Sequence, residues 1–99
     1  MKSFNERCYE LLKKVPRGKV TTYKELANAL NTRAYRAVGN AMNKNPYSPQ
    51  VPCHRVVNSN GSLGGFAFGN DAKIDFLENE GIVIKNNKIE NFEEVLYRF

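Results

Sequence analysis

The chain has one histidine, His54, and two cysteines, Cys8 and Cys53, and these scarcities exclude more chemistry than the rest of the composition suggests. A lone imidazole leaves no second one for a conventional hydrolytic constellation. Two cysteines far apart and one histidine do not supply the spaced ligand pairs of a zinc site. Neither cysteine falls in a disulfide-framework spacing, which points to a reducing compartment. No apolar run approaches membrane length and the N-terminus has no signal-peptide core, so the expectation is a soluble, intracellular chain with no membrane contact. The glycines between Ser59 and Gly69 are not followed by Gly-Lys-Ser/Thr, and no strand-to-helix dinucleotide unit exists, so this is not a phosphate cradle. Repeats, low-complexity tracts and long linkers are missing too. Residues 1–99 read as one domain, large enough for a modest core.

What the chain has in excess is positive charge. Lys and Arg number 15 against 10 Asp and Glu, giving +5 and a pI near 9.4. That suits a polyanionic partner, although many basic domains bind no nucleic acid.

Ser3-Phe4-Asn5-Glu6 has the form of a capping box, and Phe4, Cys8, Leu11, Leu12 and Val15 recur at helical spacing until Pro16 and Gly18. Cys8 on that stripe reads as core filling. A second box, Thr22-Tyr23-Lys24-Glu25, opens a helix with Leu26, Ala27 and Leu30 inward, broken by Asn31-Thr32, which offers a new cap. The third helix spans about 33–44. Its apolar stripe is Ala34, Val38, Ala41 and Met42, and its other face carries Arg33, Arg36, Asn40 and Asn43 beside Lys44. Two short, tightly joined helices, the second basic and dotted with Ala and Gly, read as a helix-turn-helix.

An extended, proline-marked loop runs from Asn45 to Pro52, Arg55-Val56-Val57 reads as a short buried strand, and Ser59–Gly69 is a loop or wing. Asn70-Asp71 caps a helix with Ile74, Phe76 and Leu77 inward, ended by Gly81. Ile82-Val83-Ile84 and Lys88-Ile89 flank an Asn86-Asn87 hairpin turn, and Phe92–Phe99 packs back as a short helix. The fold class expected is mostly α with small β elements, winged helix-turn-helix-like.

Chemistry concentrates at Cys53. A cysteine in an apolar segment is most often a small buried hydrophobe. Here a thiol, an imidazole and a guanidinium are consecutive, and such neighbours favour the thiolate, the nucleophilic form. Pro52-Cys53-His54-Arg55-Val56 resembles the acceptor-site signature of the methylated-DNA–protein-cysteine methyltransferases, which repair guanine alkylated on O6. The 18–27 stretch around Tyr23 looks like that family's helix start. Arg36-Ala37-Val38-Gly39 resembles its Arg-Ala-Val-Gly stretch, Asn45-Pro46 its Asn-Pro turn and Glu80-Gly81 its closing Glu-Gly, all in the family's order.

The resemblance implies that Cys53 is the alkyl acceptor, His54 its base through a water, Glu80 the group orienting the imidazole and Asn45 the anchor of the active-site loop. It implies that Arg36 enters the stack as a finger while Tyr23 presses on the target phosphate, with Lys24, Arg33 and Ser59 as further DNA contacts. The substrate pocket would be Met42, Val56, Phe66, Ala67 and Phe68. No cofactor or metal is implied. The implied partner is double-stranded DNA containing O6-alkylguanine, met from the minor groove by a monomer in the cytoplasm or, in a eukaryote, the nucleus. Two departures matter: the family's longer members carry an additional N-terminal domain before this module, and the bulky Gly65-Phe66-Ala67-Phe68-Gly69 loop predicts a preference for methyl over benzyl groups. Alkyltransferase-like proteins, which bind alkylated guanine without repairing it and carry Trp or Ala at the acceptor position, are the main alternative. A winged-helix transcription regulator is a further one, which leaves Pro52-Cys53-His54-Arg55 unexplained.

Overall fold

Capping starts the first helix where the Ser3 box places it. The Ser3 hydroxyl oxygen accepts the Glu6 backbone N–H at 3.2 Å and donates to the Glu6 carboxylate, an arrangement worth about 1 kcal/mol. The computed structural model describes residues 3–45, 51–64 and 69–99. Helix α1 (Phe4–Leu12) buries Cys8, Tyr9 and Leu12. It ends earlier than the apolar stripe suggested, and Val15 is buried from the turn beyond. The Tyr9 hydroxyl donates to the Ala41 carbonyl at 2.8 Å and fastens α1 to α3.

Strand β1 (Thr21–Thr22) runs directly into α2 (Tyr23–Ala29), whose cap is the Thr22 hydroxyl accepting the Glu25 N–H at 3.0 Å. Leu26 and Ala27 face inward. Helix α3 (Tyr35–Asn43) is shorter than expected. The Thr32 hydroxyl takes the Ala34 N–H, so the chain is still turning there; Arg33 precedes the helix and Ala34 is exposed at its cap. The buried stripe of α3 is therefore Val38, Ala41 and Met42. Helices α1, α2 and α3 pack on one another, and α2–α3 form the helix-turn-helix pair.

Cys53–Arg55 form a single 3₁₀ turn, and β2 is only Val56–Val57. The expected strand thus starts one residue later, because Arg55 is still in the turn. Strand β2 pairs parallel to β1, Thr21 opposite Val56 and Thr22 opposite Val57. Successive strand side chains point to opposite faces, and here each enters a different core. Val56 joins Cys8, Leu12, Leu26, Val38, Met42 and Cys53, whereas Val57 joins Val20, Leu63, Leu77, Ile82 and Ile89. The turn carrying Cys53 is pinned where these cores meet.

Helix α4 (Asn70–Asn79) begins at Asn70 with Gly69 at the cap, so Asn70 does not cap it; its side chain reaches Asn87 instead. Gly81, at φ +87°, lets the chain leave α4 with the Ile82 N–H bonded back to the Leu77 carbonyl at 3.1 Å. Strands β3 (Ile84–Lys85) and β4 (Lys88–Ile89) form the expected hairpin, its two turn asparagines both at positive φ. Helix α5 (Phe92–Val95) is a single turn, after which the chain extends: the Tyr97 N–H donates to the Val20 carbonyl at 2.7 Å. The architecture is mostly α with small β elements and winged helix-turn-helix-like. Among the described residues, no helix is long and apolar enough to cross a membrane.

Candidate functional site

Cys53 opens the 3₁₀ turn and is 4% exposed, with Val51 and Pro52 buried before it and His54 buried after it. Asn45 donates its side-chain N–H to the Val51 carbonyl at 2.7 Å, tying the end of α3 to the approach to Cys53. Glu80 is held at the C-terminal end of α4 by the Gly81 turn, and this brings it onto the same group of residues.

His54 Nε2 lies 3.1 Å from Glu80 Oε2. Burial alone would raise the Glu80 pKa, but donors and charges from Arg55 and His54 outweigh it and hold the carboxyl below the usual range. An ionised carboxylate can only accept, so Nε2 carries the proton. Burial in turn keeps His54 below the ordinary imidazole value, against the opposing pull of Glu80. The imidazole is therefore neutral near pH 7, and its lone pair is on Nδ1. Among the described residues that buried Nδ1 has no hydrogen-bond partner. The arrangement leaves one basic nitrogen available on the residue that follows the buried Cys53.

Arg55 corrects the expectation that its charge serves the thiol. Its Nε donates to Glu80 Oε1 at 2.8 Å, Nη2 donates to Oε2 at 2.5 Å and Nη1 to the Val15 carbonyl at 2.8 Å. This two-pronged grip fixes the carboxylate that orients His54. Phe76, expected merely as an inner residue of α4, stacks on His54 with ring centroids 5.0 Å apart.

Lys73 is the residue that sequence reasoning missed. It is fully buried on α4, donating from Nζ to the carbonyls of Val56 (2.7 Å) and Leu63. Burial pushes its pKa down to about 8, and charge on Cys53 pulls it back up. The only sequence signal was its place among Ile74, Phe76 and Leu77, where a lysine is out of pattern. Tyr23 also senses Cys53: its hydroxyl pKa is raised by burial first and by the Cys53 charge second.

Tyr23 connects this centre to an open groove of about 560 Å³, lined also by Lys24, Tyr35, Arg36, Gly39, Asn58 and Ser59. The helix-turn-helix and the loop after β2 thus bring Tyr23, Lys24, Arg36 and Ser59 together. Arg33 is not with them; it lines a separate small cavity with Asn28, Asn31 and Thr32. Met42 and Val56 pack in the core with Cys53, not on the groove wall. Phe66, Ala67 and Phe68 lie outside the described residues. Gly39, in mid-helix, has open space where a Cβ would be. Glycine there weakens a helix by about 1 kcal/mol relative to alanine, and no neighbouring side chain explains it.

Fold and site together define a winged helix-turn-helix domain with a buried cysteine beside a histidine–glutamate pair. Residues 3–82 match the family model for the 6-O-methylguanine DNA methyltransferase DNA-binding domain, and the chain belongs to that family. It is similar to the methylated-DNA–protein-cysteine methyltransferase of Metallosphaera sedula, 49% identical over 83 residues covering 84% of this chain and 52% of that protein. The crystal structure of O6-methylguanine-DNA methyltransferase from Pyrococcus kodakaraensis strain KOD1 superposes with a TM-score of 0.75 at 49% identity, over 83% of this chain and 48% of that one. S. pombe Atl1, solved in complex with damaged DNA containing O6-carboxymethylguanine, gives a TM-score of 0.85 at 30% identity, with both chains covered completely. The chain spans about half the length, or less, of the curated relatives it matches.

Proposed function

We propose that this chain repairs O6-alkylguanine in duplex DNA by direct transfer of the alkyl group to Cys53. The observation that carries this reading is the buried Cys53–His54–Glu80 arrangement, with Nε2 of His54 committed to Glu80 and Nδ1 left as the base. A water between the thiol and Nδ1 would pass the proton to His54. Thiolate sulfur then forms a bond to the alkyl carbon as the carbon–O6 bond breaks, the electron pair stays on the guanine, and the guanine takes up the proton that His54 had received. The thioether left on Cys53 has no acyl or phosphoryl linkage for water to open, so one chain acts once.

The lesion is inside a base stack, so the nucleotide must leave it. Arg36 and Tyr23 flank the groove that approaches Cys53. In this reading Arg36 takes the space vacated by the base, Tyr23 presses the target phosphate, and Lys24 and Ser59 hold the backbone. Approach from the minor groove suits a search that ignores sequence, and Gly39 leaves α3 slim enough for it. Arg33, set apart from the groove, would serve a flanking phosphate.

A second reading has its own support. Atl1 matches this chain end to end, which favours lesion binding without transfer, whereas a cysteine at position 53 favours transfer. Intact mass after incubation with an O6-methylguanine duplex decides between them. Gain of one methylene, about 14 Da, in the wild type and not in C53A establishes transfer to Cys53. Tight, lesion-selective binding at unchanged mass would overturn transfer and leave a damage-binding protein.

A further inference from the structure

We infer that Tyr35 is a stacking residue for DNA, its ring meeting a base that neighbours the extruded nucleotide, beside the space that Arg36 takes. The inference rests on the reading above and adds a contact to it. Tyr35 is the first residue of α3, next to Arg36, and is 45% exposed. Tyr9 is the contrast: it is buried and its hydroxyl is bonded to Ala41, as a tyrosine used for packing is expected to be.

Position makes the exposure informative. Tyr23 and Tyr35 open the two helices of the helix-turn-helix, and both line the same groove, with Lys24 and Arg36 interleaved. Aromatic rings alternating with cations suit bases that have lost their stacking partner, since every base offers a π-face and every nucleotide a phosphate. Gly39 lies one turn further along the same face and lines the same groove, and among the described residues nothing comes within 4 Å of where its Cβ would be. Tyr23, half-buried and coupled to Cys53, belongs to the inner end of the groove. Tyr35 stands at its outer rim, where the ring can meet the neighbouring base and not the reacting one.

The test uses a duplex with O6-methylguanine and 2-aminopurine as the adjacent base, read by binding and by fluorescence. Wild type is expected to prefer the lesion duplex and to change the 2-aminopurine signal. Y35F should keep both properties. Y35A should lose about tenfold in lesion affinity and most of the signal change, with an unaltered melting temperature and little change on undamaged duplex. Y35A equal to a lesion-preferring wild type would overturn this inference alone, as would Y35F as weak as Y35A, which would assign the contact to the hydroxyl. A wild type without lesion preference would overturn the inference together with the reading beneath it.

Discussion

Replacing Gly39 with alanine should strengthen the fold and weaken its use. Gly39 is central in α3, and among the described residues an added Cβ meets nothing within 4 Å. No clash opposes the substitution, so the intrinsic helix preference acts alone, about 0.5–1 kcal/mol in favour of alanine. For a domain of about 100 residues this raises the melting midpoint by about 2–8 °C. The cost falls on DNA binding. In the minor-groove approach proposed above, an α-helix about 10–12 Å across with its side chains would meet a groove about 6 Å wide, so any projection on the entering face would be felt. An extra methyl in a packed contact costs about 1–3 kcal/mol, a loss in affinity of roughly 5- to 150-fold. Thermal melts and fluorescence anisotropy on lesion duplex measure the two sides. A more stable G39A with unchanged affinity refutes the idea that the bare backbone serves DNA. A less stable G39A refutes the structural argument for open space.

The buried ion pair offers a second check: E80Q keeps the shape but loses charge-assisted bonds from Arg55 and His54 at a side chain 6% exposed. It should lower the unfolding free energy by about 2–3 kcal/mol in urea titrations, and a loss near zero would contradict the clamp. The pH dependence has a defined sign. His54 is depressed below its ordinary 6.5, so the unfolded chain binds its proton first and stability falls as pH drops below about 6.5. Glu80 is depressed below its ordinary 4.5, so its contribution is full above that value and disappears with further acid. Urea midpoints measured against pH should decline in both windows, with H54Q flattening only the upper one; a rise on acidification is incompatible with this assignment. Finally, Lys73 is fully buried and bonded to the carbonyls of Val56 and Leu63, so K73M, which leaves those acceptors without their donor, should lower the unfolding free energy by about 1–3 kcal/mol in urea titrations. Equal stability would mean that these bonds contribute nothing to the fold.

Helix starts were readable because capping is local: Ser3 and Thr22 act on residues three positions away, and both capped where expected. Arg33 and Ala34 were misplaced because Thr32 makes a short-range bond that delays the helix, an outcome that apolar spacing does not encode. The 3₁₀ turn at Cys53 was read as leading straight into strand because its apolar flank suits either. Glu80 was named through family resemblance; its neighbours alone mark only a helix end, and its partners are 25 and 26 residues away. Lys73 escaped for a related reason: a charged residue is read as solvated by default, and what holds this one in the core is carbonyls contributed by other parts of the chain. Arg55 was read as a partner of the thiol because its actual partners, Glu80 and the Val15 carbonyl, are 25 and 40 residues away.

The burial of Cys53 bears on oxidation as well as on transfer. Peroxide attacks thiols according to their ionisation and their access, and the later steps of that ladder are irreversible. A hydrolytic enzyme that loses some molecules to sulfinic acid loses a fraction of its rate. Under the transfer proposed above, where Cys53 is spent on one lesion, each oxidised molecule would cost a whole repair event. With Cys53 only 4% exposed and Val51 and Pro52 buried before it, the sulfur is screened from small oxidants, and under the transfer reaction proposed above that screening would preserve the stock of unreacted protein.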